Sequence, residues 1–391
     1  MESILKKRVL FSISILFFVL IPFFVNLEDK YLFSFDFEDV TSESESIGLN
    51  NRIEREYKFS ILSNSNSEVD SEFLTISNHV NTILSDSLDD LSSWSASELL
   101  GKKYYLTKSQ NTFVFNDLYF DTSDGLNYKK NISYRLRYRW NSHSSFSSFI
   151  QGERKKRSLP LRAEIQVKTN RLNAGNGYSK VREARLIFKD GITPFNEFFS
   201  APRAPWDIFL FVNTVQTGKY LNRLTSPAKS YALYLKELNQ SPSTVYLNPS
   251  LLIFTHRKRF HFNLPTKWGS GGNANNAFII TFDQFTPVSM QNFDMKKEMF
   301  INMPKKQLDY IELEIEFERN ISTNLDLEIE NFKDKGDVKY SELINVRNAF
   351  LKDQSLILDS VKRGLLAKGF KVLAQSRSKY SQSYESLNLG E

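Results

Sequence analysis

The chain has 391 residues, 41% hydrophobic and 14% aromatic, enough for one large or two ordinary globular domains with a substantial core. Its net charge of +6 is spread over intermixed lysine, arginine, aspartate and glutamate, with no basic helix or one-sided lysine run, so no nucleic-acid partner is expected. Cysteine is absent, which excludes disulfides, thiol catalysis and cysteine-bound metals and leaves the redox compartment open.

At the amino terminus Lys6, Lys7 and Arg8 precede an apolar run from Val9 to Val25, broken by Ser12, Ser14 and Pro22. Such a run is near the lower limit of a membrane span and also resembles a signal-peptide core. No small-residue cleavage site follows, since Asn26, Leu27, Glu28 and Asp29 come next. Residues 1–27 are therefore read as a retained single-pass membrane anchor. The basic cluster ahead of it predicts an N-inside orientation with the main domain extracytoplasmic. Residues 28–50, rich in serine and glutamate, read as a linker, and the folded domain is expected over residues 51–385.

That domain opens with a strand from Arg52 to Phe59, on which Glu54, Glu56 and Lys58 alternate with other residues. Val69, Phe73, Ile76, Val80, Ile83 and Leu84 then recur at helical spacing within a helical insertion over about 61–100. Strands follow at Tyr104–Leu106 and Asn116–Asp121, the second closed by the turn Ser123-Asp124-Gly125. Between Asn131 and Trp140 arginine alternates with apolar residues. In an extended strand this puts Arg135, Arg137 and Arg139 on one face and Leu136, Tyr138 and Trp140 on the other.

A loop over residues 141–160 carrying Arg154 to Arg157 leads to strands at Arg162–Thr169 and Tyr178–Phe188, joined by a turn at Gly175–Gly177, so this part reads as an antiparallel meander. Residues 190–248 form a second, mainly helical insertion. Strands return at Leu251–Phe262, Phe278–Phe285 and Tyr310–Phe317, followed by a helix over Tyr340–Leu366 and a last segment, Phe370–Tyr380.

A row of arginines on a strand has two readings, a solvated face of mixed charge or an anion site. The same alternation recurs in Glu54-Arg55-Glu56-Tyr57-Lys58, Glu164-Ile165-Gln166-Val167-Lys168 and Glu312-Leu313-Glu314-Ile315-Glu316-Phe317-Glu318. A β-barrel lined by these charged faces would satisfy the pattern, because interior and exterior residues alternate along every barrel strand. Guanidiniums and ammoniums on some strands with carboxylates on others suit a phosphate polyanion and a divalent metal, Mg²⁺ or Mn²⁺. His143, His256 and His261 show no ligand spacing.

The order Glu54-x-Glu56-x-Lys58, Tyr119-Phe120-Asp121-Thr122, Arg135-x-Arg137, Lys168, Lys180-x-Arg182, Arg257, Asp283, Glu314 and Ser378-Lys379-Tyr380 resembles the VTC domain, the vacuolar transporter chaperone catalytic fold. That fold belongs to the triphosphate tunnel metalloenzymes, which include the CYTH proteins. The resemblance runs from about Arg52 to about Tyr380. It implies an α+β fold: an antiparallel β tunnel barrel with peripheral helices, here preceded by one amino-terminal transmembrane helix.

By the same resemblance, Lys58, Arg135, Arg137, Lys168, Arg257 and Lys379 grip the phosphate chain and carry catalysis. Lys180, Arg182, Arg259 and Ser378 add substrate contacts, and Glu314, Glu54 and Glu56 hold the metal; strand parity adds Arg139 to the contacts and Glu316 to the metal set. Tyr119-Phe120-Asp121-Thr122 has a structural reading as a strand end with a turn-forming aspartate. Two positions depart from the VTC pattern: Thr255 replaces a usual tyrosine, and Glu316 stands where many VTC domains have lysine, which makes the acidic strand more CYTH-like. The implied activity is phosphoryl transfer of the polyphosphate polymerase type on polyphosphate or a nucleoside triphosphate. A triphosphate or polyphosphate hydrolase and a non-catalytic polyanion-binding envelope protein are the alternatives.

Overall fold

The computed structural model describes residues 51–62, 69–89, 94–108, 112–140, 162–173, 177–188, parts of 230–240, 247–269, 275–290, 293–294, 299–300, 310–333 and 338–387. The expected anchor and linker, and most of the second insertion, lie outside this set. No helix among the described residues is long and apolar enough to cross a membrane.

The elements in order are β1 (Asn51–Leu62), α1 (Val69–Asp89), α2 (Ser95–Leu100), β2 (Tyr105–Lys108), β3 (Phe113–Asp121), α3 (Leu126–Lys129), β4 (Ser133–Trp140), β5 (Arg162–Asn173) and β6 (Tyr178–Phe188). They continue with β7 (Asn248–Asn263), β8 (Asn276–Ser289), the short pair β9 (Phe293–Asp294) and β10 (Met299–Phe300), β11 (Tyr310–Phe317), α4 (Arg319–Phe332), α5 (Val338–Ala367), β12 (Lys371–Ala374) and α6 (Lys379–Ser386). Helix α4 was not foreseen from the sequence.

Eight antiparallel strands close into a barrel in the order β1-β6-β5-β4-β3-β7-β8-β11, and β11 pairs back onto β1 with Lys58 opposite Glu314 and Glu56 opposite Glu316. The closure rests on strand alternation. On β11 Ile311, Leu313, Ile315 and Phe317 face outward into the main apolar core, while Glu312, Glu314 and Glu316 take the opposite parity and face the tunnel. β1 repeats the arrangement, with Phe59 and Ile61 in the core and Glu54, Glu56 and Lys58 inside.

The outer apolar face is covered by helices. α1 lays Phe73, Ile76, Val80 and Leu84 on it, at helical spacing, and α5 adds Leu343, Val346, Phe350, Ile357, Val361 and Leu365. Phe350 stacks on Phe317 at 5.0 Å and meets Phe278 edge-on at 6.1 Å. The two helices touch closely at Gly364, where an added Cβ would lie 2.5 Å from Ile83 Cδ1. α4 starts because the Glu318 carboxylate accepts the Asn320 and Ile321 backbone N–H groups at 2.7 and 3.0 Å. It then buries Ile321, Leu325 and Ile329. The main core therefore lies between barrel and helices, and the barrel interior is rich in charged side chains.

Candidate functional site

One cavity inside the barrel is lined by Glu54, Lys58, Tyr119, Ser133, Arg135, Arg137, Lys168, Arg257, Glu314, Arg319, Ser378 and Lys379. Seven of these twelve residues are cations. Charges withdrawn from water need partners, and three clusters supply them.

The first cluster fixes the arginine strand. Arg137 donates to both Asp117 oxygens, at 2.6 Å through Nε and 2.7 Å through Nη2, while Arg135 reaches Asp117 at 3.1 Å, the Tyr119 hydroxyl at 2.9 Å and Gln166 at 2.8 Å. Strand register explains the meeting, because Asp117 pairs with Arg137 across β3 and β4 and Tyr119 pairs with Arg135. Burial alone would raise the Asp117 carboxyl, but the two guanidiniums more than reverse that and hold it at about 2. Asp117 was not singled out from the sequence. Its signal was its parity with Tyr119 and Asp121 in an otherwise apolar strand.

The second cluster joins β7, β8, β11 and α6. Arg257 donates to Asp283 at 2.7 Å and to Glu314 at 3.4 Å. Lys379 Nζ lies 2.9 Å from Glu314 and 2.9 Å from Asp283 and also bonds Glu312, and Lys58 Nζ bridges Glu314 at 3.0 Å and Glu56 at 3.1 Å. Against the effect of burial, Lys379, Lys58 and Arg257 hold Glu314 well below the usual carboxylate range. Against the same effect, Asp283, Glu312 and Glu314 push the Lys379 ammonium well above its ordinary value. Lys379 reaches this point because Ser378 caps α6, its hydroxyl accepting the Ser381 N–H at 3.1 Å. Ser378 lines the cavity in addition to capping.

The third cluster centres on Arg319, in the first turn of α4. Its guanidinium bonds Glu183 and Glu316 and lies 3.2 Å from Glu54, and Glu54 also bonds Lys168. Burial foremost, with Glu54 and Glu183 beside it, raises Glu316 to about 7 despite Arg319. Arg319 was missed because it stands on the unforeseen helix, outside any strand alternation. The signal was the acidic cap Glu318 followed by Ile321, Leu325 and Ile329 at four-residue spacing.

Lys58, Arg135, Arg137, Lys168, Arg257, Lys379, Ser378, Glu54 and Glu314 thus meet at one cavity. Arg139 and Arg259 lie over the Phe113 ring at 4.0 and 5.4 Å. Lys180 and Arg182 do not join them. β6 pairs Val181 with Glu54 and sends Glu183 inward to Arg319, so the alternate residues Lys180 and Arg182 face outward, with Arg182 exposed and Lys180 half-buried beside Arg55. Tyr119-Phe120-Asp121-Thr122 is structural in part: Asp121 accepts the N–H groups of Thr122, Asn127 and Tyr128 and the Tyr380 hydroxyl at 2.6 Å, docking α6.

The expected metal set also divides. Glu54 and Glu316 surround Arg319, Glu56 meets Lys58 and Ser179, and Glu314 groups instead with Asp283 and Glu312. Those last three carboxylates each offer an oxygen within 4.8 Å of the others. Such a hard oxygen set fits Mg²⁺ or Mn²⁺. Lys379 now supplies the positive charge between them.

No protein-family model and no curated protein sequence matches the chain. Solved structures similar to it include the Pyrococcus horikoshii protein PH1819, at 9% identity over 85% of this chain and 99% of that one, with a TM-score of 0.33. The Hippeastrum protein HpAC1, described as having a dominant triphosphatase activity, is 12% identical over 85% of this chain and 96% of that one, with a TM-score of 0.31. The Schizosaccharomyces pombe Pct1 RNA triphosphatase is 12% identical over 86% and 91%, with a TM-score of 0.30. Likeness at this level assigns no family, and the barrel rests on its own strand pairing.

Proposed function

We propose that the tunnel binds a linear phosphate chain, polyphosphate or a nucleoside triphosphate, and catalyses phosphoryl transfer of the polyphosphate polymerase type. The observation that carries this reading is the convergence of Lys58, Arg135, Arg137, Lys168, Arg257 and Lys379, from four strands and the last helix, on one cavity. Guanidiniums grip phosphate oxygens in pairs, and lysines add point charge. Asp117 fixes Arg135 and Arg137 before any substrate arrives, so their orientation costs little on binding.

Positioning and charge neutralisation carry most of phosphoryl transfer. In the reaction an acceptor oxygen, from a phosphate or from water, forms a bond to the transferred phosphorus as the bond to the departing phosphate breaks. No protein nucleophile is required. Asp283, Glu312 and Glu314 are the residues that would hold a divalent cation, whose chemistry there is to offset the negative charge on the phosphate oxygens. Arg135, Arg137, Arg257 and Lys58 bind and align the chain along the tunnel, and Lys379 is placed to exchange its carboxylates for phosphate. Anchorage by residues 1–27, with the tunnel on the extracytoplasmic side, belongs to this proposal.

Hydrolysis is the second reading. It is favoured by the grouped carboxylates of Asp283, Glu312 and Glu314, which give the tunnel the acidic wall expected of a CYTH-like triphosphatase.

The test is incubation of the full chain with Mg²⁺ or Mn²⁺ and either ATP or polyphosphate, followed by gel analysis and phosphate assay. Chain lengthening supports the polymerase and orthophosphate release the hydrolase. Arg137→Ala should raise KM about tenfold or more, and Glu314→Gln should abolish turnover with a smaller effect on binding. Unchanged kinetics in Glu314→Gln would remove the metal assignment. Absence of turnover with retained polyanion binding would leave a binding protein.

A further inference from the structure

Two phenylalanines on β3 each lie between two guanidiniums. Arg137 and Arg257 stand 4.8 and 5.5 Å from the Phe115 ring centroid, and one rung along the tunnel Arg139 and Arg259 stand 4.0 and 5.4 Å from that of Phe113. The two rungs are built alike and neutralised differently. On the first, Asp117 takes Arg137 and Asp283 takes Arg257. On the second, no carboxylate among the described residues pairs with Arg259, and its Nε is enclosed without a hydrogen-bond partner.

The neighbouring carboxylates are already engaged: Glu316 with Arg319, and Asp283 with Arg257 and Lys379. Burial, then Arg257 and Arg319, lower the Arg259 guanidinium to about 9. An arginine still carries its charge there at neutral pH. Contact with the Phe113 face offsets only part of the cost. Arg259 therefore lacks the carboxylate that Arg257 has on the first rung.

We propose that Arg259, with Arg139 and the Phe113 ring, forms a further anion subsite one rung beyond the Arg137–Arg257 pair, taking the distal phosphates of a chain longer than three. This rests on the phosphate-chain reading above and adds a length preference to it. From Arg135 to Arg139 the strand advances four residues, about 13 Å, which is longer than a triphosphate reaches. A triphosphate held at the first rung leaves Arg259 without its anion, whereas a longer chain supplies it.

The experiment is calorimetric titration of the full-length protein with tripolyphosphate and with long-chain polyphosphate, in wild type, Arg259→Gln and Arg259→Lys. The readout is the ratio of the two dissociation constants, because the statistical advantage of a longer chain is the same in every variant. Arg259→Gln is expected to reduce the preference for the long chain about tenfold, the worth of one charge-assisted phosphate contact, and Arg259→Lys to keep most of it. The melting temperature of Arg259→Gln should hold or rise, since the substitution removes a cation from beside Arg257 and Arg319.

An unchanged ratio, or a fall in melting temperature or loss of folding as for a structural arginine, overturns the subsite. If wild type binds neither polyanion, the phosphate-chain reading falls with it. Binding of both with the ratio unmoved by Arg259→Gln removes the subsite alone.

Discussion

On β11 the two faces are buried to almost the same extent: Ile311, Leu313, Ile315 and Phe317 are 0–6% exposed, and Glu312, Glu314 and Glu316 are 1–9% exposed. Equal burial has opposite consequences on the two sides. On the outer face each large apolar side chain contributes about 1.5–3 kcal/mol by leaving water. On the inner face each carboxylate is a liability unless a cation meets it. The outer face thus stabilises the fold whatever is bound, while the inner face is a balance of charges that the proposed polyanion would have to rearrange. Apolar packing and charge balance are divided between alternate residues of the same strand.

Damage to each face in turn should have different consequences. Phe317→Ala removes a ring stacked on Phe350 and packed against Phe278, and should cost about 3–5 kcal/mol in denaturant unfolding. Polyphosphate should stabilise this variant no more than wild type, because the lesion lies outside the tunnel.

Asp117→Ala is the inner counterpart. It leaves Arg135 and Arg137 without their shared carboxylate and should cost about 3 kcal/mol. Here added polyphosphate should raise the melting temperature more than in wild type, since the anion supplies what the substitution removed. Equal rescue of both variants would mean that the guanidiniums do not face the ligand. Acid carries the same information. Burial opposes the ionised Asp117 but Arg135 and Arg137 hold its folded-state pKa at about 2, below the unfolded value, so its contribution is present above about pH 4 and lost as the pH falls through 2. That part of the acid limb, about 2 kcal/mol, should be missing from Asp117→Asn.

Strand parity is a local property, and it made much of the tunnel legible in the sequence. The alternations at Arg135, Arg137 and Arg139 and at Glu312, Glu314 and Glu316 each put charge on one face and apolar residues on the other, and the structure keeps both. On β6 the family resemblance put Lys180 and Arg182 at the site, whereas the structure turns them to the outer face. Charge occurs at both parities there, Lys180 and Arg182 on one and Glu183 and Arg185 on the other, so composition cannot say which face is inside. The answer is set by pairing to β1 and by the irregularity between Thr169 and Leu172 on β5, which are non-local facts. Arg319 was hidden for a different reason. It enters the tunnel from a helix start beyond the end of β11, and strand alternation carries no information about such a residue.

The smallest expected effect tests that distinction most directly. Arg182 lies on the outer face and is exposed, on the same strand as the inward Glu183. A solvated side chain there gains little from its neighbours, so Arg182→Gln should change stability by less than about 0.5 kcal/mol. It should also leave polyphosphate affinity within about twofold, apart from a weak long-range charge effect that added salt removes. Titration at two salt concentrations separates the possibilities. A salt-resistant loss of affinity would mean that Arg182 touches the phosphate chain, and β6 would then have to be turned over in the barrel. That inversion would bring Glu183 outside and leave Arg319 without one of its three carboxylates. The pairing of Arg319 with Glu54, Glu183 and Glu316 and the silence of Arg182 are therefore one prediction, because a single register decides both.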